Sequence, residues 1–371
     1  MNGQWIGKCE GTNTGLVFLN VDEMPAHFQG VGHLLDDNKL VPGAAIFFAT
    51  KDKNRNFEFR SISVYPIDSQ TAVPTSWDKI KHRYTADVRM PNYVDVKGKW
   101  EDEFIEFSWT TDVGTSGKCR LPKSEAGKPS VLIPVPQDWE GYKKYVATLE
   151  GRKRLFRGQN TTARLRTSFH RTGRADLHRY VNDDIQVLYR QLSGRTNHIF
   201  DLDDPNENGA FYNLLQHHGY PTPLLDWTYS PYVAVFFAYR GITNKNADKA
   251  DPDKKVRVHV FDQAQWKNDW KQLHALLATA PHFSIEEFMS IENPRMIPQQ
   301  SASTLTNLDD IETYIKAKEA NGKFYIAAID LPVRERRKVM NELTYMGITA
   351  GSLFPGLDGA CEELKERNFD I

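Results

Sequence analysis

The sequence predicts an α+β fold: an antiparallel β-barrel or sandwich over residues 1–135, followed by a mixed α and β domain over 136–371. Three observations predict it. Before about residue 135, short runs rich in β-branched and aromatic residues alternate with clusters of Gly, Asn, Asp and Pro. After about residue 140, apolar residues recur at helical spacing. Between the two lies "LPKSEAGKPSVLIPVPQDWEGY" (121–142), which holds four prolines and reads as a stiff linker. A length of 371 residues is itself a soft argument for two domains.

In the first region, "GLVFLNV" (15–21), "GAAIFFAT" (43–50) and "FEFRSISVYPI" (57–67) read as strands. "FIEFSWTT" (104–111) sets Ile105, Phe107 and Trp109 against Phe104, Glu106 and Ser108, the period of a two-sided strand. The stretches Gly3-Gln4-Trp5-Ile6-Gly7 and Gly98-Lys99-Trp100 resemble the openings of small β-barrels. Roughly six to eight strands fit the spacing. The second region opens with a helix over 138–150 and a strand over 153–159. An amphipathic helix over 175–192 places Leu177, Tyr180, Val181, Ile185, Leu188, Tyr189 and Leu192 on one face. Further helices are predicted over 210–218, stopped by Gly219, and from Ser230-Pro231 onward. Strands follow over 223–227, 254–262 and 322–331, with helices over 333–345 and 358–365.

Composition narrows the classes. Hydrophobic residues at 40% and aromatics at 12% predict a substantial core. A formal net charge of −1 gives no global field toward nucleic acid or membrane. The three cysteines, Cys9, Cys119 and Cys361, are far apart and match neither a metal spacing nor a disulfide framework. The start "MNGQWIGKCEGT" lacks a basic-then-apolar pattern, and no run approaches ~18 apolar residues. A cytoplasmic protein with no membrane partner and no metal is expected.

Four polar groups sit against apolar sequence. Arg157 ends a buried strand in "LFRGQ"; it either closes a structural ion pair or offers a bidentate fork to phosphate, with Gly158 letting a ligand approach. Asp226, between Leu225 and Trp227, either accepts from backbone amides or holds a ribose hydroxyl. His217 and His218 end a helix, where an imidazolium is favoured as a cap, and their interest comes from nearness to Asp226. "NPRMIPQQSAS" (293–303) carries Arg295, Gln299 and Gln300; the glutamines have no titratable proton and serve only as hydrogen-bonding groups. No nucleophile elbow, phosphate loop or zinc-binding helix motif occurs.

Together "LFRGQ" (155–159), "LLQHHGYPTPLLDWTYSPYVAVFFA" (214–238), "NPRMIPQQSA" (293–302) and "MGITAGSLFPGLDGACEEL" (346–364) resemble the FRG domain over about 140–371. Its blocks are distantly similar to ADP-ribosyltransferases of the Arg-Ser-Glu class. That resemblance implies a split-sheet α+β domain with NAD as cofactor. It places Arg157 and Gly158 at the phosphates, with Gln159 beside them. Asp226 and Thr228 take the serine positions, and Gln299, with Gln300 beside it, takes the place of the catalytic Glu on a third strand. Trp227 or Tyr229 would stack on nicotinamide, and His217 would be the acceptor-side base. The departures are Asp-Trp-Thr for Ser-Thr-Ser and Gln for Glu.

The implied function is a toxin or anti-phage effector that transfers ADP-ribose to RNA, DNA or protein, held in check by an antitoxin or other inhibitory partner. Two other readings stay open. One is a nucleotide-binding sensor without turnover. The other is a metal-independent nuclease using His217 or His218 with Arg157. "RERRK" (334–338) reads as an RNA contact or a solvated helix face.

Overall fold

A computed structural model describes residues 1–320 and 322–369. Strands β1 (Gly3–Gly11), β2 (Gly15–Glu23), β3 (Phe28–Asp36), β4 (Gly43–Ala49), β5 (Asn56–Arg60), β6 (Ser63–Ile67), β7 (Val94–Trp100), β8 (Phe104–Thr111) and β9 (Ser116–Pro122) form one 9-stranded antiparallel sheet. Its order is β5-β7-β8-β9-β1-β2-β3-β4-β6. The two edge strands are consecutive in the chain, with only Ser61 and Ile62 between them. There the Ser61 N–H donates to the Val94 carbonyl at 2.8 Å, and the Ile62 N–H donates to the Phe47 carbonyl at 2.8 Å. The sheet therefore curls until its edges meet along one chain segment. The expected barrel or sandwich is a single barrel-like wrap.

The period of two runs unbroken round this wall. Cys9 pairs with Cys119, Phe107 with Cys119, Leu19 with Gly32 and Gly32 with Ile46, so these residues share the inner face. Cys9 and Cys119, remote in sequence, are thus cross-strand neighbours, both free and buried. The sequence hid β3 and β9 because glycine and charge interrupt their alternation. Gly30 explains one interruption: a Cβ there would lie 2.2 Å from the Asn20 carbonyl oxygen.

The second sheet holds β10 (Pro134–Pro136), β11 (Leu155–Gln159), β12 (Leu224–Thr228), β13 (Lys255–Phe261), β14 (Phe283–Glu286), β15 (Ser301–Thr306) and β16 (Ile326–Pro332). Its order is β10-β16-β13-β11-β12-β15-β14, parallel only between β10 and β16. The expected linker thus ends as a strand of the second sheet. Prolines 134 and 136 lack N–H groups, which an edge strand tolerates. Around the sheet lie α1 (Trp139–Ala147), α2 (Pro205–His217), α3 (Pro231–Tyr239), α4 (Ile311–Lys318) and α5 (Arg336–Tyr345). Asp138 caps α1 by accepting from the Gly141 N–H at 2.7 Å. The expected helix over 175–192 is interrupted by a π-helical turn at Tyr180–Ile185. Among the described residues no helix is long and apolar enough to cross a membrane.

The two sheets share an interface. Asp22 on β2 accepts from Arg174 Nε at 2.8 Å, Arg179 Nη1 at 3.1 Å and the Ala175 N–H at 2.8 Å. Phe18 joins the apolar cluster of Leu132, Leu155 and Tyr325. The rings of His33 and His178 face each other across the boundary, 5.6 Å apart.

Candidate functional site

The second sheet comes apart between β11 and β12. Strand β11 makes five register pairs with β13, from Leu155↔Phe261 to Gln159↔Arg257, but one with β12, Phe156↔Thr228. Arg157 meets the backbone of Asp226 at this split. Arg157 Nη1 donates to the Asp226 carbonyl oxygen at 2.5 Å. Arg157 Nε and Asp226 Oδ1 are both buried with no hydrogen-bond partner among the described residues. Burial lowers the Arg157 guanidinium to about 10; the Asp226 charge opposes this and nearby Arg171 adds to it. The group therefore stays cationic near neutrality, close to a second cation.

Gly158 serves the opposite face of β11. A Cβ there would lie 1.9 Å from the Ala234 carbonyl oxygen and 2.6 Å from the Ala238 nitrogen. The glycine lets α3 press on the strand, rather than admitting a ligand as expected. Helix α3 is buried on nearly all sides through Val233, Ala234, Val235, Phe236 and Ala238, and it follows β12 after a Ser230 cap. The apolar run after Asp-Trp is thus the brace that holds β11 and β12 at the split.

Asp226 lies opposite Ser303, and Ser303 lies opposite Glu286, so the three side chains occupy one face in a row. Two strand spacings, roughly 10 Å, separate the carboxylate-bearing residues. Burial pushes Glu286 above the usual carboxylate range, and His274 draws it back. His274 Nδ1 is 2.8 Å from Glu286 Oε1. A polar chain runs from this row to α2. Asn213 Nδ2 donates to Ser303 Oγ at 3.2 Å, Asn293 Nδ2 donates to Asn213 Oδ1 at 2.7 Å, and Asn293 also bonds His217 Nδ1. Arg295 Nη1 donates to the His217 carbonyl at 2.8 Å. His217 is therefore linked to the row through side chains, while His218 is exposed.

Other expected site residues lie elsewhere. Trp227 is core: it is buried, its Nε1 donates to Thr304 Oγ1 at 3.0 Å, and its ring packs 5.6 Å from Phe261. It has no face left to stack on a ligand. Tyr229 instead carries the Arg152 guanidinium over its ring at 4.1 Å. Thr228 Oγ1 donates to the Gln299 carbonyl at 2.7 Å and accepts from the Ser230 N–H at 2.9 Å. Gln299 precedes the third strand rather than standing on it, and its Nε2 donates to the Leu353 carbonyl at 3.0 Å. Gln300 is exposed with φ 48. Gln159 Nε2 donates to the Ala163 carbonyl at 3.1 Å, and its Oε1 is buried without a partner.

Asn213, Ser303, Glu286 and Arg171 were not singled out in the sequence. Asn213 had a signal, as the polar residue inside the apolar run "AFYNLL". Glu286 and Ser303 had none, because only strand register aligns them with Asp226. Beneath the split, His259 pairs with Arg157 in register and lies 3.7 Å from Glu312 Oε1. Glu312 is structural: it accepts from Ser130 Oγ, the Val131 N–H and the Leu165 N–H. Among the described residues no cluster of His, Cys, Asp and Glu is arranged to hold a metal ion.

Residues 152–249 match the family model of the FRG domain. The match is narrower than the resemblance read over 140–371; it contains Arg157, His217 and Asp226, and leaves out Glu286 and Gln299. No curated protein and no solved structure matches the chain.

Proposed function

We propose that the FRG domain of this chain binds NAD at the split between β11 and β12 and transfers its ADP-ribose to RNA, DNA or protein. One observation carries the reading: a cationic donor, Arg157 Nε, and an anionic acceptor, Asp226 Oδ1, are buried and unpartnered where the sheet comes apart. Such groups are costly unless a ligand completes them. NAD, when bound, supplies a glycosidic C–N bond whose cleavage develops positive charge on the ribose. Arg157 and Arg171 receive the diphosphate, which relieves their mutual repulsion. Asp226 lies against the developing charge, the role an amide fills poorly. Glu286, with its raised proton affinity, takes the proton of the acceptor as its nucleophile bonds to the ribose carbon and nicotinamide leaves. His217 positions Asn293 and Asn213, and Gln299 holds the Leu353 segment.

This activity suits a toxin or anti-phage effector restrained by an inhibitory partner. The curled sheet would recognise the target or trigger. The test uses NAD labelled on its adenosine half, incubated with lysate and either wild type or Asp226→Ala. Label entering one of the protein, RNA or DNA fractions with wild type alone supports the transferase and names the acceptor class. Intact NAD with no label in any fraction replaces it with a nucleotide sensor. That second reading draws on β15, "SASTLT", which carries no carboxylate.

A further inference from the structure

We infer that the interior of the curled N-terminal sheet is a binding site for a small, uncharged, mostly apolar molecule bearing one hydrogen-bond donor. This inference does not depend on the activity proposed for the FRG domain. The wrap surrounds a partly open cavity of about 460 Å³, within the range of small-molecule pockets. Eight-stranded barrels either fill their interior with side chains or hold one small ligand. Here the filling is absent.

The inner walls are aliphatic and aromatic, with Leu19, Ile46, Phe57, Phe107 and Trp109 among them. Small residues leave the space. A Cβ at Gly32 would meet only the flexible Leu19 Cδ1, at an ordinary 3.6 Å. The backbone therefore does not demand glycine there, and a larger side chain would close the cavity. Ala44 lies beside it on β4, in register with Leu34. The polar groups gather at one end. Asp36 follows Leu34 on the inner face; it accepts from Asn13 Nδ2 at 2.7 Å and from the Asn38 N–H at 2.8 Å. A carboxylate accepts more than two hydrogen bonds, so Asp36 keeps acceptor capacity for a donor on the ligand. Segment 87–91 also lines the cavity, with Val88, Met90 and Pro91 beside the exposed Asp87 and Arg89. Space of this size leaves the apolar part of the lining without the contacts of a packed interior, and an apolar occupant restores them. Strand β3 separates the cavity from the FRG half: Gly32 faces inward, while its neighbour His33 faces His178.

The probe is N-phenyl-1-naphthylamine, a neutral two-aryl amine with a single N–H. Titrated into the full chain, it should bind one to one with a blue-shifted, enhanced emission. Ala44→Phe and Gly32→Leu, which fill the cavity, should weaken binding at least tenfold without lowering the thermal midpoint. No binding to wild type, or equal binding to the filled variants, overturns the inference. If those variants do not fold, a crystal structure of wild type with the probe decides it. Density between Gly32, Phe57 and Trp109 supports the site, and density elsewhere or none overturns it.

Discussion

Asp226 and Glu286 share one register row yet have different neighbours. Asp226 Oδ1 is buried without a partner, while Glu286 is tied to His274. Their replacements should separate accordingly. Asp226→Asn should lower label transfer about 100-fold while nucleotide affinity, measured by calorimetry, changes little. On the proposed mechanism Glu286→Gln should lower transfer by removing the acceptor of that proton, so the rise of rate with pH should flatten. Arg157→Lys keeps a charge but loses the planar fork, and should weaken nucleotide binding by about 1.5–3 kcal/mol. Unchanged affinity in that variant would remove Arg157 from the ligand. At this scale the sequence was informative where chemistry and local context coincide: Arg157 and Asp226 stood out as charges set in apolar runs. It misled at Trp227 and Gln299, whose side chains are spent on Thr304 and on the Leu353 carbonyl. Nothing within their own segments announces those distant partners.

Strand β11 and helix α3 illustrate the element scale. The strand presents Arg157 at the split, and its next residue, Gly158, lies directly under the helix backbone. Gly158→Ala should therefore destabilise the chain by about 3 kcal/mol, the upper range for overpacking, read as a lowered urea midpoint with the same slope. An unchanged midpoint would mean that α3 does not press on β11. Strand β8, bounded by turn residues and alternating along its length, was legible, and so was α3, which is apolar throughout. Strands β3 and β9 were not, because Gly30 and Gly117 answer to backbone approach across the sheet and Gly32 to open space inside it. The helix over 175–192 kept its face but hid a π-helical turn, which periodicity alone does not resolve.

For the whole molecule, the boundary between the sheets depends on buried charge and buried neutral histidine. Asp22 holds Arg174 and Arg179 and accepts from the Ala175 and Asp176 N–H groups, so Asp22→Ala should cost about 1–3 kcal/mol through the buried donors it leaves, while Arg174 keeps Asp184. Loss of the cooperative single unfolding transition would accompany it. Burial lowers His178 to about 4; it lowers His33 to about 3, with His178 adding to the effect. Both bind fewer protons in the folded chain than in the unfolded one. Stability is then full above about pH 6.5 and falls as the pH drops toward about 4. His178→Phe should make that decline shallower by about 1.4 kcal/mol per pH unit, measured by denaturation at a series of pH values. An identical decline in the variant would assign the acid sensitivity to other groups. The separation into a first, wholly antiparallel sheet and a second, mixed one was legible in composition. The shared interface was not, since Asp22 and Arg174 are joined only once both sheets exist.

The handover at Ser61 and Ile62 also governs how the chain is made. Ile62 finds its partner Phe47 as soon as β4 has formed, but Ser61 must wait for Val94, and β1 must wait for Cys119. A nascent chain therefore carries β1–β4 and β6 as a five-stranded ribbon whose β1 edge stays bare until β9 emerges. Long-range pairing of this kind is slow and exposes unpaired strands. The interval between residues 67 and 122 is accordingly the stretch of synthesis over which the β1 edge is exposed.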